Sequence, residues 1–257
     1  MNKKNLKNIC DKLLETFFSA GELSLTLRSK GLKTEYKEDN TPVSNGDIEV
    51  NNIITSKIKS LTPDMPIVSE ESSENKNNSK LKDFWLIDPI DGTYDYVNNK
   101  DEFTLNAGLI LDKKPVLGLI YAPAKKRMFY TYDLGESYEI FNNKKIKLDC
   151  SKKTKANQIK AIHYSNKLHP IIDNYHKKFG VTEFTRMKSS LKFCVIATSE
   201  YDIYVSEPRA SEWDIAAGHA ILQNAGGLIT DFDNNQIFYG KKNFKNPSLI
   251  LKRSEEL

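Results

Sequence analysis

Residues 84 to 97, FWLIDPIDGTYDYV, hold the densest chemistry in the chain. Asp88 closes a run of four residues suited to a buried strand, and Asp91, three residues on, opens an Asp-Gly-Thr turn. Pro89 has no N–H with which to continue a ladder, so the strand is expected to stop at Asp88. Gly92 permits the turn, and the Thr93 hydroxyl is expected to cap a helix that begins at Tyr94. A strand end and the adjoining turn can bring both carboxylates to one point. The free N–H groups of the next helical turn face that point and can hold an anion. Carboxylates beside an anion site require cations between them, and hard oxygen donors with a phosphate-like anion make Mg2+ the expected ion. Taken alone, DPIDG is also an ordinary turn composition, so the reading depends on what else converges there.

Three other acidic positions sit where elements begin or end. Ser44, after Asn40-Thr41-Pro42-Val43, is the expected N-cap of a helix starting near Asn45 and carrying Ile48, Ile54, Ile58 and Leu61. Asp47 falls in its first turn, where a carboxylate also serves as a simple helix-dipole partner. Pro66-Ile67-Val68-Ser69 reads as a short strand ending in Glu70 and Glu71. Ser211 precedes Glu212-Trp213-Asp214 as a second N-cap, and Ala216, Ala217, Ala220 and Ile221 form a small, closely packing helix face that ends at Gly226-Gly227. The four histidines show no metal-binding spacing. GxxxxGK[ST], GxGxxG and GxSxG are absent, which removes the triphosphate, dinucleotide and serine-hydrolase readings that depend on them.

The elements that must position these groups follow from periodicity. Residues 5 to 20 form an amphipathic helix through Leu6, Ile9, Leu13, Leu14 and Phe17, and residues 23 to 39 read as mixed strand and charged loop. Residues 103 to 148 read as an antiparallel run: FTLNAGLIL, PVLGLIYAP, KRMFYTYDLG and SYEIF. Texture changes at 151 to 157, where a domain boundary is expected. Beyond it, strand and helix alternate: IKAIHY, helix 168 to 179, VTEFTR, a helix from about Ser190, YDIYVSE, helix 212 to 225 and LITDF. This gives an N-terminal α+β domain, 1–150, carrying most of the acids, and a C-terminal α/β domain, 151–257, contributing Asp214.

At 257 residues, 39% hydrophobic and 28% charged, the chain can bury a sizeable core. Its three cysteines are widely spaced and argue against a disulfide framework or a thiolate metal site. The ENKNNSK stretch from Glu74 to Lys80 reads as a solvated loop. A net charge of +4, spread along the chain, attracts anionic small molecules and has no stripe to organise a nucleic acid polymer. Without a spanning apolar run or a signal-peptide pattern the expectation is a cytoplasmic protein, with contact at the inner face of the membrane left open, as either monomer or homodimer.

Asp47 after TPVS, Glu70 in VSEES, Asp88, Asp91 and Thr93 in WLIDPIDGT, and Asp214 in EWDIAAGHAIL together resemble the inositol monophosphatase superfamily of magnesium-dependent phosphatases. SSLKFC at 189–194 and SEWDIAAGHA at 211–220 are most similar to its CysQ branch of 3'(2'),5'-bisphosphate nucleotidases. The resemblance implies a layered αβαβα sandwich and hydrolysis of adenosine 3',5'-bisphosphate to AMP and phosphate. A phosphatase of the same fold acting on inositol monophosphate or another sugar phosphate is the alternative. It further implies two or three Mg2+ ions on Glu70, Asp88, Asp91, Asp214 and the Ile90 carbonyl, with Li+ or Ca2+ as inhibitors. Asp47, Thr93 and Glu70 would activate the attacking water. Gly92, Thr93, Ser190, Lys192 and Asp214 would meet the substrate. The chain departs from the branch at Lys188, where a glycine is usual, and at His163-Tyr164-Ser165-Asn166, where Ser-Arg-Ser-His is usual.

Overall fold

The computed structural model describes residues 1–257 except 39, 73, 77, 79 and 153–157. Most of the expected boundary at 151–157 and two positions of the 74–80 loop thus lie outside the described residues. Helix α1 spans Lys3–Lys30 and α2 spans Asn45–Leu61. The first runs ten residues past the end that its periodicity indicates. Its second part is held by tertiary contacts: Gly21 lies against Tyr121, whose ring an added Cβ would meet at 2.3 Å, and the buried Ser24 carbonyl accepts the Tyr96 hydroxyl at 2.7 Å. Only β1, Thr34–Tyr36, remains of the strand expected there, paired antiparallel with β2, Pro42–Ser44.

A seven-stranded sheet follows in chain order: β3 Ile67–Ser69, β4 Phe84–Asp91, β5 Thr104–Leu111, β6 Lys114–Ala122, β7 Arg127–Thr131, β8 Ser137–Phe141 and β9 Lys144–Lys147. All neighbours are antiparallel except β3 and β4, which are parallel. The short helix α3, Thr93–Val97, lies between β4 and β5. The second sheet has the order β11-β10-β12-β14-β13, from β10 Ile159–His163, β11 Val181–Arg186, β12 Ile203–Ser206, β13 Leu228–Thr230 and β14 Leu249–Lys252. The strand β14 was not expected from the sequence. Helices α4 Pro170–Lys178, α5 Leu191–Ala197 and α6 Glu212–Asn224 belong to this part of the chain.

The layers are visible in β4 itself. Trp85 and Ile87 pack with Leu13, Phe17 and Ile54 of α1 and α2, whereas Phe84 and Leu86 pack with Phe193, Ala216 and Ile221 of α5 and α6. A strand covered on both faces reads as a continuous apolar run. The second sheet closes over the other side of α5 and α6 with Tyr204 and Leu251, and its outer face meets Ile172 of α4. The order is helix, sheet, helix, sheet, helix, as the αβαβα expectation requires. Gly108 and Gly118, opposite each other on β5 and β6, make the floor on which Ala216 and Ala217 rest. A Cβ on Gly118 would stand 2.3 Å from the Ala217 carbonyl oxygen, so these glycines set how closely α6 approaches the sheet.

Candidate active site

The strand does not stop at Asp88. It continues to Asp91 through a bulge, with Asp88 opposite Asn106 and Asp91 opposite Thr104. Three steps on β4 thus match two on β5, and Pro89 sits in the irregular part, where a missing N–H is tolerated. The extra residue has a consequence for chemistry. Residues three apart on a regular strand face opposite ways, but Asn106 and Thr104 share a face, so the bulge turns Asp88 and Asp91 to the same side. By alternation from Phe84 and Leu86 that side is the one covered by α5 and α6.

Asp214 arrives from α6. It is the N3 residue of a capping box on Ser211, its Oδ2 accepting the Ser211 N–H at 2.7 Å. Glu70 arrives from the end of β3, whose parallel pairing with β4 extends to a Glu70 N–H bond with the Ile87 carbonyl. One carboxylate oxygen from each of Glu70, Asp88 and Asp214 lies within 4.8 Å of the others. Asp91 stands beside this trio, its Oδ2 accepting the Ser190 hydroxyl at 2.6 Å.

Asp47 repeats the capping-box design on α2. Its Oδ2 accepts from the Ser44 N–H at 2.7 Å and the Ser44 hydroxyl at 2.6 Å, which leaves Oδ1 facing the Thr93 hydroxyl at 2.9 Å. Thr93 is not the cap of α3, contrary to the sequence expectation. That place belongs to Gly92 in a left-handed conformation (φ 96°), and the Thr93 hydroxyl instead reaches Asp47 or the Ile90 carbonyl, 3.0 Å away. A Cβ at Gly92 would lie 2.7 Å from the Glu102 carbonyl oxygen, so both sterics and φ require glycine.

Burial raises the pKa of Asp88 well above the ordinary carboxylate range, and Glu70, Asp91 and Asp214 add repulsion. Asp214 is raised in the same way, by burial and then by Asp91 and Glu70. Glu70 is raised by burial against the pull of Lys37, whose ammonium stands 3.2 Å from it and 2.8 Å from Glu71. Burial also raises Asp47, despite its hydrogen bonds from Ser44 and Thr93. Asp88 Oδ1 is buried with no hydrogen-bond partner. An orphaned carboxylate oxygen within a cluster of acids fits a hard divalent cation, which would keep the carboxylates ionised and satisfy that oxygen.

Beside the acids opens a cavity of about 220 Å3. Asp91, Gly92 and Asp214 line it together with Lys188, Lys192, Arg209 and Tyr164. The Lys192 ammonium donates to the Ser189 carbonyl, and burial pulls its pKa down to about 8 against the attraction of Asp91. Lys188 pairs with the buried Asp95 at 3.1 Å. Ser190 lines this cavity, but its hydroxyl is engaged inward: it meets Asp91 and the Asp214 carbonyl, 2.5 Å away, and accepts from Asn106 at 3.0 Å. Its side chain therefore braces the acids and is not directed at a ligand. Sequence reasoning missed Lys37 and Arg209. The first had only a charged loop around it, and the second lay inside EPRASEWD without a motif of its own.

No helix among the described residues is long and apolar enough to cross a membrane. The inositol monophosphatase family profile matches residues 6–256. Over 240 residues the chain is 35% identical to the 3'(2'),5'-bisphosphate nucleotidase CysQ of Buchnera aphidicola subsp. Acyrthosiphon pisum, spanning 91% of this chain and 88% of that one. Its identity to the Escherichia coli K12 protein of the same name is 30% over 232 residues, 85% of this chain and 88% of that one. The crystal structure of CysQ from Bacteroides thetaiotaomicron shares the fold with a TM-score of 0.76 at 24% identity, covering 95% and 96% of the two chains. With acids from the first sheet and from α6 gathered beside a basic cavity, and with matches that run through nearly its whole length, the chain belongs to the inositol monophosphatase family.

Proposed function

We propose that this chain is a Mg2+-dependent phosphatase that removes the 3'-phosphate of adenosine 3',5'-bisphosphate, giving AMP and phosphate. The observation that carries the reading is a single cavity lined both by carboxylates, Asp91 and Asp214, and by three cations, Lys188, Lys192 and Arg209. Such a cavity suits a substrate with one phosphate to cleave and a second to hold, and a monophosphate sugar leaves the second set of cations unused. The similarity to nucleotidases at 30–35% identity supports the same substrate.

In this reading Glu70, Asp88, Asp91, Asp214 and the Ile90 carbonyl hold two or three Mg2+ ions in the cleft between an N-terminal part, 1–150, and a C-terminal part, 151–257. Mg2+ supplies positive charge to the phosphoryl oxygens and to the attacking and leaving oxygens. The chain does the rest by position. Thr93 donates its proton to Asp47, so its oxygen is left as an acceptor that orients a water for direct in-line attack, with Glu70 drawing on that water's proton. The N–H groups of Gly92 and Thr93 hold the scissile phosphate. Ser190 keeps Asp91 aimed, and Lys192 meets the second phosphate.

A phosphate-release assay with Mg2+ tests the reading on adenosine 3',5'-bisphosphate, adenosine 3'-phosphate, inositol 1-phosphate and fructose 1,6-bisphosphate. The bisphosphonucleotide is expected to show the highest kcat/KM. Preference for inositol 1-phosphate would overturn the assignment and leave a sugar phosphatase of the same fold.

A further inference from the structure

The cationic lining of the cavity contains an arrangement that none of these roles uses. Tyr164 directly follows β10 and lines the cavity. Its hydroxyl donates to Glu207 Oε1, and the Arg209 guanidinium lies over its ring, 3.6 Å from the centroid. Tyr204 on β12 lines the cavity with the same arginine. The fully buried His163 packs its ring against Tyr164 with centroids 4.3 Å apart. Tyr164 is thus fixed at its hydroxyl by Glu207 and at its ring by His163.

The three cations differ in what already occupies them. Lys192 gives its ammonium to the Ser189 carbonyl, and Lys188 pairs with Asp95. Arg209 has no carboxylate within ion-pair distance among the described residues; an aromatic face holds it instead. A guanidinium stacked flat on a ring keeps its in-plane N–H donors free for a bidentate anion, and the stack removes rotamer freedom before the anion arrives. The ring face under Arg209 is closed to an adenine.

We infer that Tyr164 is a positioning residue and a determinant of specificity, the shelf that presents Arg209 edge-on to the second phosphate of the substrate. This rests on the nucleotidase reading above. Tyr164 makes its hydrogen bond to Glu207 and its ring contacts to His163 and Arg209, so its removal should weaken binding of one part of the substrate and leave the chemical step alone.

The test compares wild type, Tyr164→Ala and Tyr164→Phe on adenosine 3',5'-bisphosphate and on adenosine 3'-phosphate, which lacks the second phosphate. In Tyr164→Ala the KM for the bisphosphate should rise by up to about tenfold with kcat within about twofold, the cost of ordering an exposed, rotamer-rich arginine on binding once its shelf is gone. The KM for adenosine 3'-phosphate should not move. Tyr164→Phe keeps the shelf and loses only the tether to Glu207, so it should restore the bisphosphate KM to within about threefold of wild type. An equal rise in KM for both substrates, a loss confined to kcat, or a Phe variant as impaired as Ala would overturn the inference. If Tyr164→Ala does not fold, Tyr164→Leu, which keeps bulk without a π face, carries the same expectation. A wild type that does not distinguish the two substrates overturns the nucleotidase reading as well; a preference undiminished in Tyr164→Ala overturns this inference alone.

Discussion

Replacing Asp88 by Asn exchanges a buried charge for a neutral group of the same shape, and its effect should change sign with Mg2+. Asp88 is 2% exposed, and its carboxylate belongs to a trio whose oxygens lie within 4.8 Å of one another. Two unit charges at that separation repel by about 3.5 kcal/mol at an effective dielectric near 20. Protonation limits the cost, because a carboxylate of ordinary pKa takes up a proton at pH 7 for about 4 kcal/mol. The metal-free variant should therefore be more stable than metal-free wild type by about 1 to 4 kcal/mol at pH 7, or several degrees in Tm. The pH sense follows from the raised pKa values of Glu70, Asp88 and Asp214. Groups raised in the folded state destabilise it where the unfolded chain has them ionised, and the penalty lifts as pH falls through the folded values. The gain in the variant should accordingly be largest near neutrality and vanish below about pH 4. With Mg2+ the order should reverse by about a thousand times the wild-type Kd, where wild type gains about 4.1 kcal/mol and the variant has lost a ligand. Circular dichroism melts at pH 7, in chelator and through a Mg2+ series, read both limbs. A variant less stable than wild type in chelator, or one with the same Mg2+-dependent rise, would refute the reasoning.

Two further expectations concern kinetics. Thr93→Ala should lower kcat by about 10² to 10³ while KM and the Mg2+-dependent rise in Tm stay near wild type, because orientation of the water is lost and affinity is not; an unchanged kcat would exclude this role. Lys192, with its pKa pulled to about 8 by burial against the attraction of Asp91, carries its charge below that pH and loses it above. The kcat/KM for the bisphosphate should fall above about pH 8, and Lys192→Arg should stay flat to higher pH because a guanidinium keeps its proton. A wild-type profile flat through about pH 9.5 would remove Lys192 from substrate binding.

Much of the site was legible because its residues occupy places where local rules apply. Ser44 with Asp47 and Ser211 with Asp214 are helix-start patterns readable over four residues, and both are capping boxes in the structure. The antiparallel run from 103 to 148 and the small face of α6 followed from periodicity and side-chain size. The expectations that failed were those in which a local rule met a tertiary contact. Gly21 would count against a helix by propensity, yet α1 runs through it because Tyr121 needs the space. Thr93 has the chemistry of a cap, but Asp47 from a helix 46 residues earlier competes for its hydroxyl. β14 is four residues long and pairs with β12 and β13, partners 43 and 20 residues before it, so nothing near it in the chain announced a strand.

By itself the sequence determined which groups could do chemistry: acids at two helix starts, at one strand end and around one turn, with enough apolar periodicity to lay out the helices and strands that carry them. Tertiary structure decided their aim. Pro89 identified an interruption, but only pairing with β5 showed that one extra residue on β4 turns Asp88 and Asp91 to a common face. The approach of α6 to Gly108 and Gly118 delivers Asp214 to that face, and the segments that follow β10 and β12 bring Tyr164 and Arg209 to the same cavity. Side-chain identity and local periodicity are properties of a short stretch of chain, whereas convergence is a property of register and packing between separate stretches, from adjacent strands such as β4 and β5 to Asp88 and Asp214 in opposite halves of the chain.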